Sequence, residues 1–232
     1  MTTVLFIRHG LTAMTGPVLA GHTPELHLDD RGWAQARAVT DRLRELPLAA
    51  LVSSPLERCT DTASAVAEGR DRAVELDDRF VEVRYGDWTG RELKTLAKEP
   101  LWKVVQQHPS AAVFPGGEGL AAVQARAVAG VRDWNARLAA EHGPDVTYAV
   151  FSHGDVIKSL IADALGQHLD LFQRISVDPC SVSVVRYTDT RPFVLRVNDT
   201  GGGVAGLLPP TPKRGRSRRA AAADAVVGGG AG

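Results

Sequence analysis

Arg8, His9 and Gly10 follow directly on the apolar run Val4-Leu5-Phe6-Ile7, and a second His-Gly pair, His153-Gly154, follows a second apolar run through "VTYAVFS". A guanidinium can grip two oxygens at once, and an imidazole offers a nitrogen that donates, accepts or attacks. A third segment, Ser54-Pro55 with Glu57, matches the cap, first-turn proline and capping-box acid of a helix that opens at Pro55 and carries Arg58 near its start. Unpaired N–H groups and the dipole make such a helix start favourable for an anion. Arg8, His9, Arg58 and His153 together suit a phosphate group. One histidine at a strand end is more often structural, but two x-His-Gly repeats with two arginines at similar addresses favour the chemical role.

These groups converge only if the elements carrying them share one edge of a sheet. "TTVLFI" is strand-like, and "DDRGWAQARAVTDRLREL" places Trp33, Ala36, Val39, Leu43 and Leu46 at helical spacing behind the capping candidates Asp29 and Asp30. "AALVSS" is a second strand leading into the helix of Arg58. From about residue 70 to 117 the periodicity weakens, and an excursion with one short helix around "GRELKTLAK" is expected. A helix returns with Leu120, Val123, Ala127, Val131, Trp134 and Leu138 on one face and Gly143-Pro144 as its stop. After "VTYAVFS" comes a helix with the stripe Val156, Ile157, Leu160, Ile161, Ala164 and Leu165, ending at Gly166. "SVSVVRYT" and "FVLRVND" close the domain as strands. This order predicts an α/β fold, a three-layer α/β/α sandwich with a mostly parallel central sheet. In such sheets ligands bind at the carboxyl ends of the strands, where His9 and His153 lie.

The 232 residues carry no net charge, with 44% apolar and 23% charged residues, an ordinary globular balance. The foldable part is expected to span residues 1–200, with 201–232 a Gly/Pro/Ala-rich, disordered tail. Lys213, Arg214, Arg216, Arg218 and Arg219 against Asp224 alone make that tail basic and the body acidic. A specific nucleic-acid binder would place the positive charge on the folded body, so none is expected. Cys59 and Cys180 show no metal or disulfide spacing. No apolar run approaches the roughly 18 residues of a membrane span, and a cytoplasmic protein with no membrane partner is expected.

The motifs resemble, in order, those of the histidine phosphatase superfamily, the phosphoglycerate-mutase-like proteins of branch 1. They are Arg8-His9-Gly10, "SSPLERCTDTA" over 53–63, an acid before "GDWTG" in "EVRYGDWTG", and Ser152-His153-Gly154. "LWKVVQQHPSAAVFPGGEG" and "LDLFQRISVDPCSVSVVRYT" are similar to an actinobacterial branch that carries a phosphomutase label. The resemblance spans residues 1 to about 200 and implies a phosphoglycerate-mutase-like fold. It implies His9 as the nucleophile that becomes a phosphohistidine, and Arg8, Arg58 and His153 as holders of the phosphate oxygens. Glu82 is implied as general acid and base, a role that nothing else distinguishes from Asp77, Asp78, Asp87 or Glu92. The family's usual acid after Arg-His-Gly is Leu11 here, and Thr15 stands where an asparagine commonly meets phosphate, so Thr15 and Gly154 are expected beside it. The stretch "GHTPELHLDDRG" resembles another family region with altered spacing, which implies His22 or Thr23 at the border of the pocket. Trp88 and Trp102, with Lys94, Lys98 and Lys103, fall in the excursion that covers the site in relatives.

The resemblance implies a phosphomonoesterase acting on small phosphorylated metabolites. A phosphomutase is the runner-up, disfavoured because the interval from Glu82 to His153 is shorter than in the cofactor-dependent mutases. A silent phosphate-binding module is a third alternative, disfavoured because both histidines are present. No cofactor or metal is implied: His22, His27, His108, His142 and His168 are scattered, and no carboxylate cluster suits magnesium. Dimers are common among relatives, and a homodimer is expected.

Overall fold

The structure is a computed structural model that describes residues 1–202. The expected disorder and basic charge of the tail fall almost wholly outside those residues. A six-stranded sheet has the order β3-β2-β4-β1-β5-β6. Its strands are β1 (Thr2–Arg8), β2 (Leu48–Ser53), β3 (Val74–Leu76), β4 (Val146–Ser152), β5 (Val182–Tyr187) and β6 (Pro192–Asp199). β1, β2, β3 and β4 pair in parallel, whereas β5 and β6 are added antiparallel beyond β1.

The central strands read as unbroken apolar runs because both faces are covered. Val4 and Phe6 point into one core with Val150 of β4, while Leu5 and Ile7 point into the other with Ala149 and Phe151. Helices α1 (Asp30–Leu43) and α2 (Glu57–Ala67) supply the second core, with Ala36, Val39, Leu43, Cys59, Ala63 and Val66. The first core receives α5 (Leu120–His142) and α6 (Gly154–Ala164). Every residue of the expected α5 stripe is buried, as is the α6 stripe apart from Leu165, which lies beyond the helix and is exposed.

Helix ends follow local chemistry with one exception. The Asp29 carboxylate accepts from the Gly32 N–H at 2.8 Å and caps α1. Gly166, at φ +63°, ends α6 with paired bonds from the Gly166 N–H to the Asp163 carbonyl and from the Gln167 N–H to that of Ala162. α2 differs: it begins at Glu57 rather than Pro55, and no side chain caps it. Its expected cap, Ser54, is bonded elsewhere.

The excursion holds more structure than expected. Besides the short α3 (Leu93–Leu96) it contains the three-residue edge strand β3 and a second helix, α4 (Pro100–Gln107), with proline in its first turn. Trp88 is a core residue here, its ring 6.2 Å from that of Trp102 and 5.3 Å from that of Phe114. Among the described residues no helix is long and apolar enough to cross a membrane.

Candidate active site

β1 and β4 end side by side, with Arg8 in register with Ser152, and the His9 N–H donates to the Ser152 carbonyl at 3.0 Å. This pairing brings residues 9 and 153 to one edge of the sheet. Their rings stand 5.3 Å apart, tilted by 59°. Glycine follows His9 for a steric reason: the chain passes against the start of α1, where a Cβ on Gly10 would come within 2.8 Å of the Gly32 carbonyl oxygen. A Cβ on Gly32 would in turn overlap the Leu11 carbonyl oxygen.

His9 Nδ1 lies 2.8 Å from the Gly10 carbonyl oxygen. A carbonyl only accepts, so Nδ1 carries the proton and Nε2 presents its lone pair. Toward that lone pair the Arg58 Nε–H donates at 3.3 Å, while Arg58 Nη2 donates to His153 Nδ1 at 3.2 Å and to the Gly21 carbonyl at 2.8 Å. Arg58 Nη1 is buried with no hydrogen-bond partner among the described residues. A buried guanidinium nitrogen without a partner, on a side chain that touches both imidazoles, is a donor that an anion's oxygen can satisfy.

His153 Nε2 is 2.8 Å from Ser54 Oγ, and with Nδ1 accepting from Arg58 it is Nε2 that donates. This bond joins residues 99 positions apart, and the same Oγ accepts only a longer bond, from the Leu56 N–H at 3.4 Å, at the start of α2. Arg8 reaches inward, its Nη1 donating to the Val177 carbonyl at 2.8 Å. Glu82 sits with Oε2 3.8 Å from His153 Nδ1 and Oε1 accepting from the Val83 N–H at 3.0 Å.

Arg8, His9, Ser54, Arg58, Glu82 and His153 are all buried. Burial and the nearby Arg58 hold both His9 and His153 well below the ordinary histidine range, so both rings are neutral at pH 7. Burial, reinforced by the negative charge of Asp155, pushes the Glu82 carboxyl up to about 7, against the pull of Arg58 and Arg8. A protonated Glu82 leaves two buried guanidiniums beside two neutral rings, an arrangement that favours an entering anion. α2 and α6 both start here, at Glu57 next to Arg58 and at Gly154 next to His153, adding the positive ends of their dipoles.

Gly154 is buried in the first turn of α6. Thr15 lies in the loop after β1, where its hydroxyl accepts from the Thr12 N–H and pairs with the Thr12 hydroxyl, both at 3.0 Å. His22 is drawn in as well: its Nε2–H donates to the Glu82 carbonyl at 2.7 Å. Ser54, Tyr85 and Asp155 are contacts that sequence reasoning missed. The one available signal for Asp155 was its place directly after Ser-His-Gly. Among the described residues no group of three or more histidine, cysteine or acidic side chains could hold a metal ion.

Comparison with known proteins identifies the family of this chain. A sequence profile of the histidine phosphatase superfamily (branch 1) matches residues 4–200. Phosphoserine phosphatase 1 of Hydrogenobacter thermophilus is 30% identical over 176 residues, covering 75% of this chain and 81% of that protein. A bifunctional protein of Mycobacterium tuberculosis, Rv2228c, is 32% identical over 203 residues, and the match spans 86% of this chain but 54% of that longer protein. Among solved structures, a mycobacterial glucosyl-3-phosphoglycerate phosphatase in complex with VO3 superposes with a TM-score of 0.74 at 25% identity, over 85% of this chain and 98% of the other. This chain belongs to branch 1 of the histidine phosphatase superfamily.

Proposed function

We propose that the chain hydrolyses small phosphomonoesters through a phosphohistidine on His9. The observation that carries this is the state of the His9 ring: Nδ1–H is committed to the Gly10 carbonyl, and the Nε2 lone pair faces the Arg58 guanidinium, where a phosphate would lie. Nε2 attacks phosphorus, the bond from phosphorus to the ester oxygen breaks, and that oxygen takes a proton from Glu82. Water then attacks the phosphohistidine and gives a proton back to Glu82, phosphate leaves, and His9 returns to its starting form.

Arg8, Arg58 and His153 hold the nonbridging oxygens. Oxygens entering between the rings replace the bonds from Arg58 to the imidazoles with charge-assisted ones, and the open Arg58 Nη1 gains a partner. Gly154 offers its backbone at the α6 start, and Thr15 contributes a hydroxyl if its bond to Thr12 gives way. In this proposal the enzyme is a cytoplasmic homodimer that needs no metal.

Phosphate release from a panel including phosphoserine, glucosyl-3-phosphoglycerate and simple sugar phosphates tests it, with wild type beside His9→Ala and with chelator present. Release that vanishes in His9→Ala and is indifferent to chelator is expected. Interconversion of phosphoglycerates without release would indicate a mutase, and saturable phosphate binding without turnover a binding module. Light scattering on the full chain tests the dimer.

A further inference from the structure

Directly behind the site lies a buried polar chain that the steps above leave unused. Asp155, in the first turn of α6 and 1% exposed, accepts from the Tyr85 hydroxyl at 2.8 Å through Oδ2. Its Oδ1 is 3.4 Å from the ammonium of Lys158, itself buried, which donates to Gln173 Oε1 at 3.1 Å and lies 5.7 Å over the Phe172 ring. An ion pair sealed from water is costly to keep, and apolar residues of the same volume are often no worse for stability. Its placement ties two functional segments together. Tyr85 lies three residues after Glu82 in the same loop, fixed by its edge-on contact with Phe114 at 4.9 Å, and Asp155 lies two residues after His153. On the other side of Glu82, its carbonyl is held by His22 Nε2 at 2.7 Å and by Arg126 Nη2 at 3.2 Å.

We propose, resting on the hydrolysis described above, that Asp155 is a positioning residue for the acid step, fixing through Tyr85 the loop that keeps Glu82 beside His153. Its charge has a second consequence. Facing Glu82 are Arg8 from β1, Arg58 from α2, His22 from the loop after β1, Arg126 from α5, Tyr85 from its own loop, and His153 with Asp155 at the start of α6. Arg8 and Arg58 favour the carboxylate form of Glu82, and Asp155 is the negative group that opposes them. Removing that charge therefore lets Glu82 lose its proton at lower pH.

The test compares pH profiles of kcat/KM for β-glycerophosphate, whose alkoxide leaves poorly, and p-nitrophenyl phosphate, whose phenolate leaves without help. In Asp155→Asn, which keeps an acceptor for Tyr85 but not the charge, the alkaline limb for β-glycerophosphate should move down by about half to one pH unit. Tyr85→Phe keeps the charge and cuts the tether, so it should lower the β-glycerophosphate rate relative to the nitrophenyl rate without moving that limb. If Asp155→Asn folds poorly because Lys158 loses this counter-ion, Asp155→Asn/Lys158→Met removes both charges and should still show the limb displaced downward, by a smaller amount because the lost ammonium acts in the opposite direction. An unmoved limb in the Asp155 variants, or equal loss on both substrates in Tyr85→Phe, overturns the positioning role. Turnover surviving in His9→Ala would overturn the underlying hydrolysis instead, whatever the Asp155 variants do.

Discussion

Replacing Glu82 by glutamine should make the protein more stable and a poorer catalyst, with both effects governed by pH in ways that the buried carboxyl dictates. The Glu82 carboxyl titrates at about 7 in the folded protein against an ordinary 4.5. Between those values the folded chain keeps a proton that the unfolded chain releases. Stability that is intact below pH 4.5 is therefore lost as pH rises through 7, where a bare carboxylate is forced into a buried place. The full displacement corresponds to about 3 kcal/mol at pH 8. Glutamine carries no such penalty. Urea unfolding at pH 4.5, 6 and 8 should show Glu82→Gln level with wild type at the first pH and ahead by up to about 3 kcal/mol at the last, with the slope against urea unchanged. Turnover should move the other way. A missing general acid should cost about 10²- to 10⁴-fold on an alkyl phosphate and much less on a nitrophenyl ester, and the alkaline limb near pH 7 should vanish for the former. A stability gap that is constant with pH, or that favours wild type at pH 8, would refute the buried protonated acid. Equal losses on both esters would refute its catalytic use.

Two further substitutions probe the frame around His9. Arg58→Lys retains the charge but cannot span His9, His153 and the Gly21 carbonyl from one side chain, and should lower kcat/KM by about 10²- to 10³-fold while weakening inhibition by vanadate. A loss under tenfold would mean that charge alone suffices. Gly32→Ala forces a methyl against the Leu11 carbonyl and should cost roughly 1–3 kcal/mol in thermal or urea unfolding together with activity, since the displaced loop begins at Gly10. An unchanged melting temperature would show that α1 yields there at no cost.

What the sequence makes legible here depends on how local the cause is. β1, β4 and the helices α5 and α6 are readable because their burial is written in runs and stripes: a strand covered on both faces is apolar at every position, as Val4 to Ile7 are, and a helix covered on one face repeats, as Leu120 to Leu138 does. β3 is three residues at an edge, two half-buried and Leu76 exposed, and its strand character comes from pairing with β2 rather than from its own pattern. α4 begins at a proline, which reads as a breaker until its place in the first turn is known. At the site, Arg8, His9, Arg58 and His153 are legible because they sit at strand ends and a helix start, places recognisable one segment at a time.

Glu82 is different, because what separates it from Asp77, Asp78, Asp87 and Glu92 is burial against Arg58 and Asp155, groups from α2 and α6. Ser54 misleads for the same reason. Its surroundings spell a helix cap, and a capping bond would have stabilised α2 by about 1 kcal/mol. Instead the hydroxyl accepts the Nε2–H of a histidine 99 residues away and leaves α2 uncapped. A local rule is broken there at a cost to the helix, and the gain falls to the imidazole: its Nε2–H is held, its Nδ1 is left to Arg58, and the ring is oriented before substrate arrives. Restoring the local rule would thus work against the site, because any side chain at position 54 that capped α2 better would release His153.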